Sequence, residues 1–133
     1  MTARRGPTEV AAIAVGGMLG ASLRWLLTVL LPQSGPLHWG TPVANVTGSG
    51  LLAGVVVHLR RKHGVNPPLS DLLEVGLCGG LTTFSTFAIE IVRLLETRHV
   101  TTALVYSIAT FAACLASAGS VAFVMLRTDA PTR

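Results

Sequence analysis

The chain has 133 residues, of which 50% are hydrophobic and only 12% are charged. Soluble domains carry about 25% charged residues, so the composition excludes an ordinary soluble protein and indicates a membrane protein. The formal net charge is +4, but the basic residues stand beside apolar stretches. That placement predicts topology signals rather than a nucleic-acid-binding surface.

Four apolar stretches are each long enough for one helical crossing, which takes about 20 residues. They predict helices over residues 10–31, 42–59, 72–95 and 100–126, within one transmembrane domain that covers the whole chain. The first stretch follows Arg4 and Arg5, as a cleavable signal would. Because it is longer than a signal core and contains Arg24, we predict a retained helix.

The three links predict how the helices are arranged. Residues 32–41 are rich in turn formers, residues 60–70 combine a basic run with two prolines, and residues 96–100 are few enough to force an antiparallel hairpin. Four crossings put both termini and the second link on one side, which predicts a cytoplasmic location for them. That side gathers seven of the ten basic residues: Arg4, Arg5, Arg60, Arg61, Lys62, Arg127 and Arg133.

The third apolar stretch contains the sequence Gly79-Gly80-Leu81-Thr82-Thr83 near its middle. Adjacent glycines and β-branched residues are poor helix formers, so a local break in this helix is predicted. Within a membrane, non-helical backbone must be buried in protein or line a wet cavity. Its freed carbonyls suit a hard cation such as sodium. The alternative is a kink whose carbonyls are satisfied by neighbouring hydroxyls.

Phe84 and Phe87 follow this cluster and are three residues apart, which places them on one helix face. The edges of aromatic rings carry positive charge, and the Asn45 amide supplies N–H donors. Together these groups would suit a small, dehydrated anion. The alternative is that both phenylalanines are ordinary packing residues.

Two other residue types favour packing over chemistry. Cys78 and Cys114 lie in apolar stretches without a Cys-x-x-Cys pattern, so buried packing is favoured over metal ligation. Glycines that recur three or four residues apart along a membrane helix let a neighbouring backbone approach closely, so they predict close contact between helices. In the first two helices they are Gly16, Gly17, Gly20, Gly48, Gly50 and Gly54.

Three motifs closely resemble the CrcB/Fluc family of fluoride channels. They are GGMLGASLRW at 16–25, WGTPVANVTGSGLLAG at 39–54 and GLCGGLTTFSTF at 76–87. The resemblance extends over almost the whole chain. It implies an all-α dimer of two antiparallel four-helix subunits, each with a broken third helix, with two fluoride pathways and a structural sodium ion at the dimer centre.

The same resemblance implies roles for individual residues. The backbone carbonyls of Gly79 and Thr82 would bind the sodium ion, Glu90 would be a conduction-linked acid, and Arg24 would support the vestibule or the fold. The fluoride pathway would include Asn45, Phe84, Ser85, Thr86, Phe87, Tyr106 and Thr110. Cys114 departs from the family, which often continues a track of hydroxyls at that point of the fourth helix.

The expected function is passive, selective export of fluoride through the inner (plasma) membrane, which relieves fluoride toxicity without enzyme chemistry. The expected partners are fluoride, lipid and a second subunit, and nucleic acid is not among them. Chains that form dual-topology homodimers typically have a weak charge bias between the two sides of the membrane. Here seven basic residues are predicted on one side and only Arg93 and Arg98 on the other. A heterodimer with an oppositely oriented paralogue therefore stays open beside the antiparallel homodimer.

Three other functions would account for part of the sequence. A proton-coupled multidrug transporter needs a membrane-embedded acid, normally in the first helix, but the sole candidate is Glu90 in the third. An enzyme using Glu90 and Tyr106 would lack a clustered nucleophile and base. A subunit that packs against a partner and has no pathway of its own would also fit the glycine motifs.

Overall fold

The computed structural model describes residues 5–35, 37–61 and 66–128, of which 87% are helical. Four helical segments are long and apolar enough to cross a membrane: Pro7–Leu30, Gly40–Arg61, Pro67–Glu96 and Val100–Thr128. The prediction of an all-α chain with four hydrophobic helices is therefore confirmed. Arg4, Lys62 and Arg133, which contributed to the predicted charge bias, lie outside the described residues.

The first, second and fourth segments are the helices α1 (Pro7–Leu30), α2 (Gly40–Arg61) and α6 (Val100–Thr128). The third segment is composite. It consists of α3 (Pro67–Ser70), a π-helical segment (Asp71–Cys78), α4 (Gly79–Leu81) and α5 (Phe84–Glu96). Between α1 and α2, the short strands β1 (Gln33–Ser34) and β2 (Leu37–His38) pair antiparallel, so the predicted turn-rich link is a small hairpin.

Three of the helical segments begin earlier than the apolar runs predict. α1 starts at Pro7 instead of residue 10, since proline is well accepted in the first helical turn. The Gly6 amide donates to the Glu9 carboxylate there. The third span likewise starts at Pro67 instead of residue 72. α2 starts at Gly40 instead of residue 42, which brings Thr41 into the helix.

Glycines bring α1 into backbone contact with the third span. A Cβ added to Gly76 would lie 2.8 Å from the Cα of Gly16. Gly20 and Gly80 are as closely confined by backbone atoms of the opposite segment. The predicted close packing of α1 is confirmed at Gly16 and Gly20, where no larger residue fits.

α6 packs along α2 and runs antiparallel to α5, which precedes it in the chain. The Ser117 hydroxyl of α6 donates to the Val46 carbonyl of α2 at 3.0 Å. At the α5–α6 turn, the His99 amide donates to the Leu94 carbonyl at 2.8 Å, and Arg98 has a positive φ of 59°. The predicted hairpin of the last two helices is therefore present, closed by a left-handed residue that caps α5.

Most large apolar side chains point away from this small protein core. The buried cluster consists of Phe87, Leu94, Ala103 and Tyr106. By contrast, Leu115 is 74% exposed and Trp25 is 66% exposed in the single chain. Contiguous exposed apolar faces of this extent mark surfaces that meet lipid or another subunit.

Candidate functional site

The candidate site surrounds two extended residues between α4 and α5. Thr82 has φ and ψ angles of −80° and 152°, and Thr83 has −149° and 126°. α5 then starts with Thr83 as its N-cap, because the Thr83 side-chain oxygen accepts a hydrogen bond from the Thr86 amide at 3.2 Å. We call residues 82 and 83 the junction.

Asn45 of α2 holds the junction through two hydrogen bonds to one residue. The Thr83 amide donates to Asn45 Oδ1 at 2.7 Å, and Asn45 Nδ2 donates to the Thr83 carbonyl at 3.0 Å. In a continuous helix, the Thr83 amide would donate to the Gly79 carbonyl. The side chain of Asn45 therefore replaces backbone pairing, and one of its two amide protons is used for this purpose.

Arg24 of α1 supports the same region from the other side. Its Nε donates to the Gly80 carbonyl at 3.1 Å. A continuous helix would pair that carbonyl with the Phe84 amide, so Arg24 supplies a donor where the helical pattern ends.

The backbone at Gly79 is the part of the region that is open to its surroundings. Gly79 is exposed, and a Cβ built on it would meet nothing within 4 Å. Among the described residues, no group of three or more His, Cys, Asp or Glu side chains is placed to hold a metal ion.

A cavity of about 320 Å³ opens beside the junction. It brings together four residues predicted for the pathway, Asn45, Phe84, Phe87 and Thr110, which come from three different helices. The remaining lining residues are Gly48, Ser49, Leu52, Thr82, Thr83, Phe111 and Cys114. We call this space the junction cavity, and it combines an amide, hydroxyls and aromatic rings.

The aromatic residues of the site form a continuous cluster. The ring centroids of Phe84 and Phe87 are 6.2 Å apart, as their shared helix face predicts. The Phe87 ring also lies 5.4 Å from Tyr106 and meets Phe111 edge-on at 5.6 Å. Phe87 is 4% exposed and packs in the core, whereas Phe84 is 73% exposed and projects from the chain.

Glu90 is the acid of a second polar cluster next to these rings. Thr41 Oγ1 donates to one of its carboxylate oxygens and the Tyr106 hydroxyl donates to the other, both at 2.6 Å. Thr41 and Tyr106 are almost completely buried. Two short hydrogen bonds thus stabilise a carboxylate inside a membrane-spanning segment, where an unpartnered acid would be costly.

Tyr106 lies outside the junction cavity and lines a neighbouring groove of about 570 Å³ between α2 and α6. Thr47 and Trp39 also line this groove, whereas Thr110 lies on the walls of both spaces. The predicted pathway residues of α6 are therefore divided between two adjoining spaces, with Thr110 at the boundary.

The remaining hydroxyls have local partners. Ser85 and Thr86, which were predicted for the pathway, lie outside the junction cavity, and both hydroxyls are 3.2 Å from Thr83 Oγ1. Ser49 Oγ donates to the Asn45 carbonyl at 2.8 Å while still lining the cavity. Ser107 Oγ donates to the Ala103 carbonyl at 2.7 Å within its own helix.

Sequence reasoning missed Thr41 and Phe111, and it included Thr83 in the predicted break without giving it a place in the site. Thr41, Asn45 and Ser49 occur at steps of four and share one face of α2, so this spacing would have predicted Thr41 if the helix had been started two residues earlier. Thr83 contacts Asn45 through its backbone, and no side-chain pattern reveals such a contact. Phe111 resembles any other apolar residue of a hydrophobic helix.

The fold and the site define a small multi-pass membrane protein with a mainly apolar cavity, which also carries an amide and hydroxyls, inside its membrane-spanning segments. The chain belongs to the family described as CrcB-like protein, Camphor Resistance (CrcB), whose family model matches residues 11–122. The family predicted from the three motifs is thereby confirmed.

Curated relatives share much of the chain. A protein of Bordetella bronchiseptica is 46% identical over 114 residues, covering 85% of this chain and 88% of the relative. A protein of Methanopyrus kandleri is 44% identical over 91 residues, covering 68% and 70%. A protein of Erwinia tasmaniensis is 38% identical over 112 residues, covering 75% and 90%. Each of the three is named fluoride-specific ion channel FluC. Because these relatives are named as ion channels, they support the prediction that this chain is not an enzyme.

Proposed function

We propose that this protein is a fluoride-selective channel through which fluoride leaves the cytoplasm passively and by which fluoride toxicity is relieved. The observation that carries the proposal is the junction cavity. It gathers Asn45, Thr110, Phe84 and Phe87 in one space within the spans of a protein whose relatives are named fluoride-specific ion channels.

Selectivity for fluoride follows from the kind of groups in this cavity. A channel replaces an ion's hydration shell with fixed protein groups. Asn45 has a second amide proton beyond the one bonded to Thr83, and Thr110 has a hydroxyl donor. The positive edges of the Phe84 and Phe87 rings would complete the shell. Because two hydrogen bonds fix the Asn45 amide, its free N–H needs little reorganisation to meet the ion.

The polar groups beside the cavity extend the proposed route. Thr110 connects the junction cavity with the groove that Tyr106 lines, and Tyr106 is bonded to Glu90. Glu90 is the proposed conduction-linked acid, because its carboxylate lies next to the route and accepts hydrogen bonds from the hydroxyls of Thr41 and Tyr106. Ser85 and Thr86 would offer hydroxyls at the start of α5.

The junction also suits a structural sodium ion bound by the carbonyls of Gly79 and Thr82. The Thr83 amide is diverted to Asn45, so the Gly79 carbonyl loses the donor of a continuous helix. Carbonyl oxygens are suitable ligands for a hard cation. When bound, the ion would supply positive potential and hold the ends of α4 and α5. The junction would then be the break in the third helix that the sequence leads us to propose.

We propose an antiparallel dimer in the inner membrane, formed by two copies or with an oppositely oriented paralogue. The exposure of Gly79 and of Phe84, at 73%, leaves part of the proposed site uncovered in a single chain. A second subunit would cover these residues and narrow the pathway. Arg24, close to the junction, would then support the vestibule.

Fluoride efflux from liposomes that contain only this chain tests the proposal, measured with a fluoride electrode. We expect fluoride flux that reverses with the gradient and no comparable chloride flux. Asn45→Ala, Phe84→Ala and Phe87→Ala should each lower the flux at least tenfold. Phe123→Ala, a matched change remote from the junction cavity, should not.

Two results would separate the parts of this proposal. Equal chloride and fluoride fluxes would refute the selectivity. Flux that is absent from the single chain but restored by a co-reconstituted paralogue would establish the heterodimer and exclude the homodimer.

A further inference from the structure

The C-terminal ends of α2 and α6 form a basic surface. Arg60 and Arg61 lie in the last turn of α2 and Arg127 in the last turn of α6, and all three are exposed. Arg61 Nη2 donates to the Met125 carbonyl at 2.7 Å, which shows that the two helix ends are in contact. The Arg127 guanidinium lies 4.1 Å from the centre of the Phe123 ring and is held there by a cation–π contact.

An apolar groove of about 650 Å³ leads to this basic surface. It runs between α2, α6 and the π-helical segment, from Thr47 and Ser117 to His58 and Met125. Most of its other lining residues are aliphatic: Leu51, Val55, Leu59, Leu73 and Val121. Ser117 already donates to the Val46 carbonyl, so it offers no free donor to a polar occupant.

We propose that this groove binds an anionic phospholipid, with one acyl chain in the groove and the phosphate on Arg60 and Arg127. Basic pockets at the ends of transmembrane helices attract acidic headgroups. A free phosphate would explain the arginines without the groove, and a neutral lipid would explain the groove without the arginines.

This site is separate from the junction cavity and does not depend on the proposed transport of fluoride. Its lining residues, apart from Thr47, lie in neither of the two spaces described above. The lipid would hold the ends of α2 and α6 together, in addition to the Arg61 contact.

Native mass spectrometry of the full chain with equimolar phosphatidylglycerol and phosphatidylcholine tests the headgroup. We expect preferential retention of phosphatidylglycerol, and about a tenfold or greater loss of that preference in the double variant Arg60→Gln/Arg127→Gln. Arg61 is left intact because it joins the two helices. The control Arg93→Gln/Arg98→Gln removes the same charge at the opposite end and should keep the preference. Equal retention of both lipids, or an equal loss in the control, would overturn the proposal.

Filling the groove tests the position of the acyl chain. A Cβ on Gly54 would lie 3.4 Å from Val121 and 3.6 Å from the Met125 sulfur, so Gly54→Leu would extend into the groove. Gly119→Leu is the matched control, since a Cβ there meets nothing within 4 Å. Helical content is checked by circular dichroism. We expect Gly54→Leu alone to displace the lipid, and unchanged retention would place the chain elsewhere and refute the site. If Gly54→Leu does not fold, the lipid preference of the Arg60→Gln/Arg127→Gln variant still decides whether the groove binds an anionic phospholipid.

A second subunit is the competing occupant of the groove. Val121→Cys in a Cys114→Ser background would then cross-link efficiently between two copies in liposomes. Such cross-linking would show a protein interface in place of a lipid site and would overturn the proposal, whereas its absence is the expected result.

Discussion

Replacing Asn45 with alanine would remove both hydrogen bonds that hold Thr83, at 2.7 and 3.0 Å. An unsatisfied buried backbone group costs about 1–3 kcal/mol, so two such groups give about 2–6 kcal/mol. Thr83 is only half-buried, and polar groups in membranes find other partners when the protein unfolds. We therefore expect the free energy of unfolding to fall by about 2 kcal/mol, at the lower end of that range.

The assay is equilibrium unfolding of the purified chain in mixed detergent micelles, followed by tryptophan fluorescence. Ser49→Ala is the control, because Ser49 donates only to a carbonyl of its own helix and lines the same cavity. Its free energy of unfolding should change by less than about 0.5 kcal/mol. If Asn45→Ala is no less stable than Ser49→Ala, the two hydrogen bonds do not hold the junction and the reasoning fails.

Three further predictions concern packing, the α5–α6 turn and the cavity wall. Gly76→Ala should lower the free energy of unfolding by about 1–3 kcal/mol, since its Cβ would lie 2.8 Å from the α1 backbone, whereas Gly17→Ala, with open space around its Cβ, should not. Arg98→Gly should raise it by about 1 kcal/mol relative to Arg98→Ala, because φ of 59° is unfavourable for a residue with a Cβ; equal values for both variants would exclude this strain. Methylmercury should block fluoride efflux through Cys114, which lines the junction cavity, and not through the buried Cys78. Cys114→Ser should therefore abolish the block and Cys78→Ser should retain it, and the opposite pattern would remove Cys114 from the pathway.

The hydrophobic helices were predictable because a bilayer crossing demands a long apolar run, which a single sequence displays directly. Their ends were harder to predict. The third span begins with Pro67 and Pro68 and α2 with Gly40, and residues of these types more often mark turns than helices. Starting α2 too late concealed that Thr41 shares a face with Asn45.

Four of the residues predicted for the pathway line the junction cavity, but their hydrogen-bond partners could not be predicted. The family motifs indicated Asn45, Phe84 and Glu90. In the structure Asn45 is bonded to a backbone carbonyl, Phe84 is exposed, and Glu90 accepts hydrogen bonds from two hydroxyls. A motif records residue types, whereas hydrogen-bond partners depend on how separate helices are placed.

The apolar runs were sufficient to predict four helices, because hydrophobicity is a local property of the chain. That Asn45 would bond to Thr83, 38 residues away, and Arg24 to Gly80, 56 residues away, depended on the packing of α2 and α1 against the third span. Those contacts join residues from different helices, so their geometry exists only once the helices have packed.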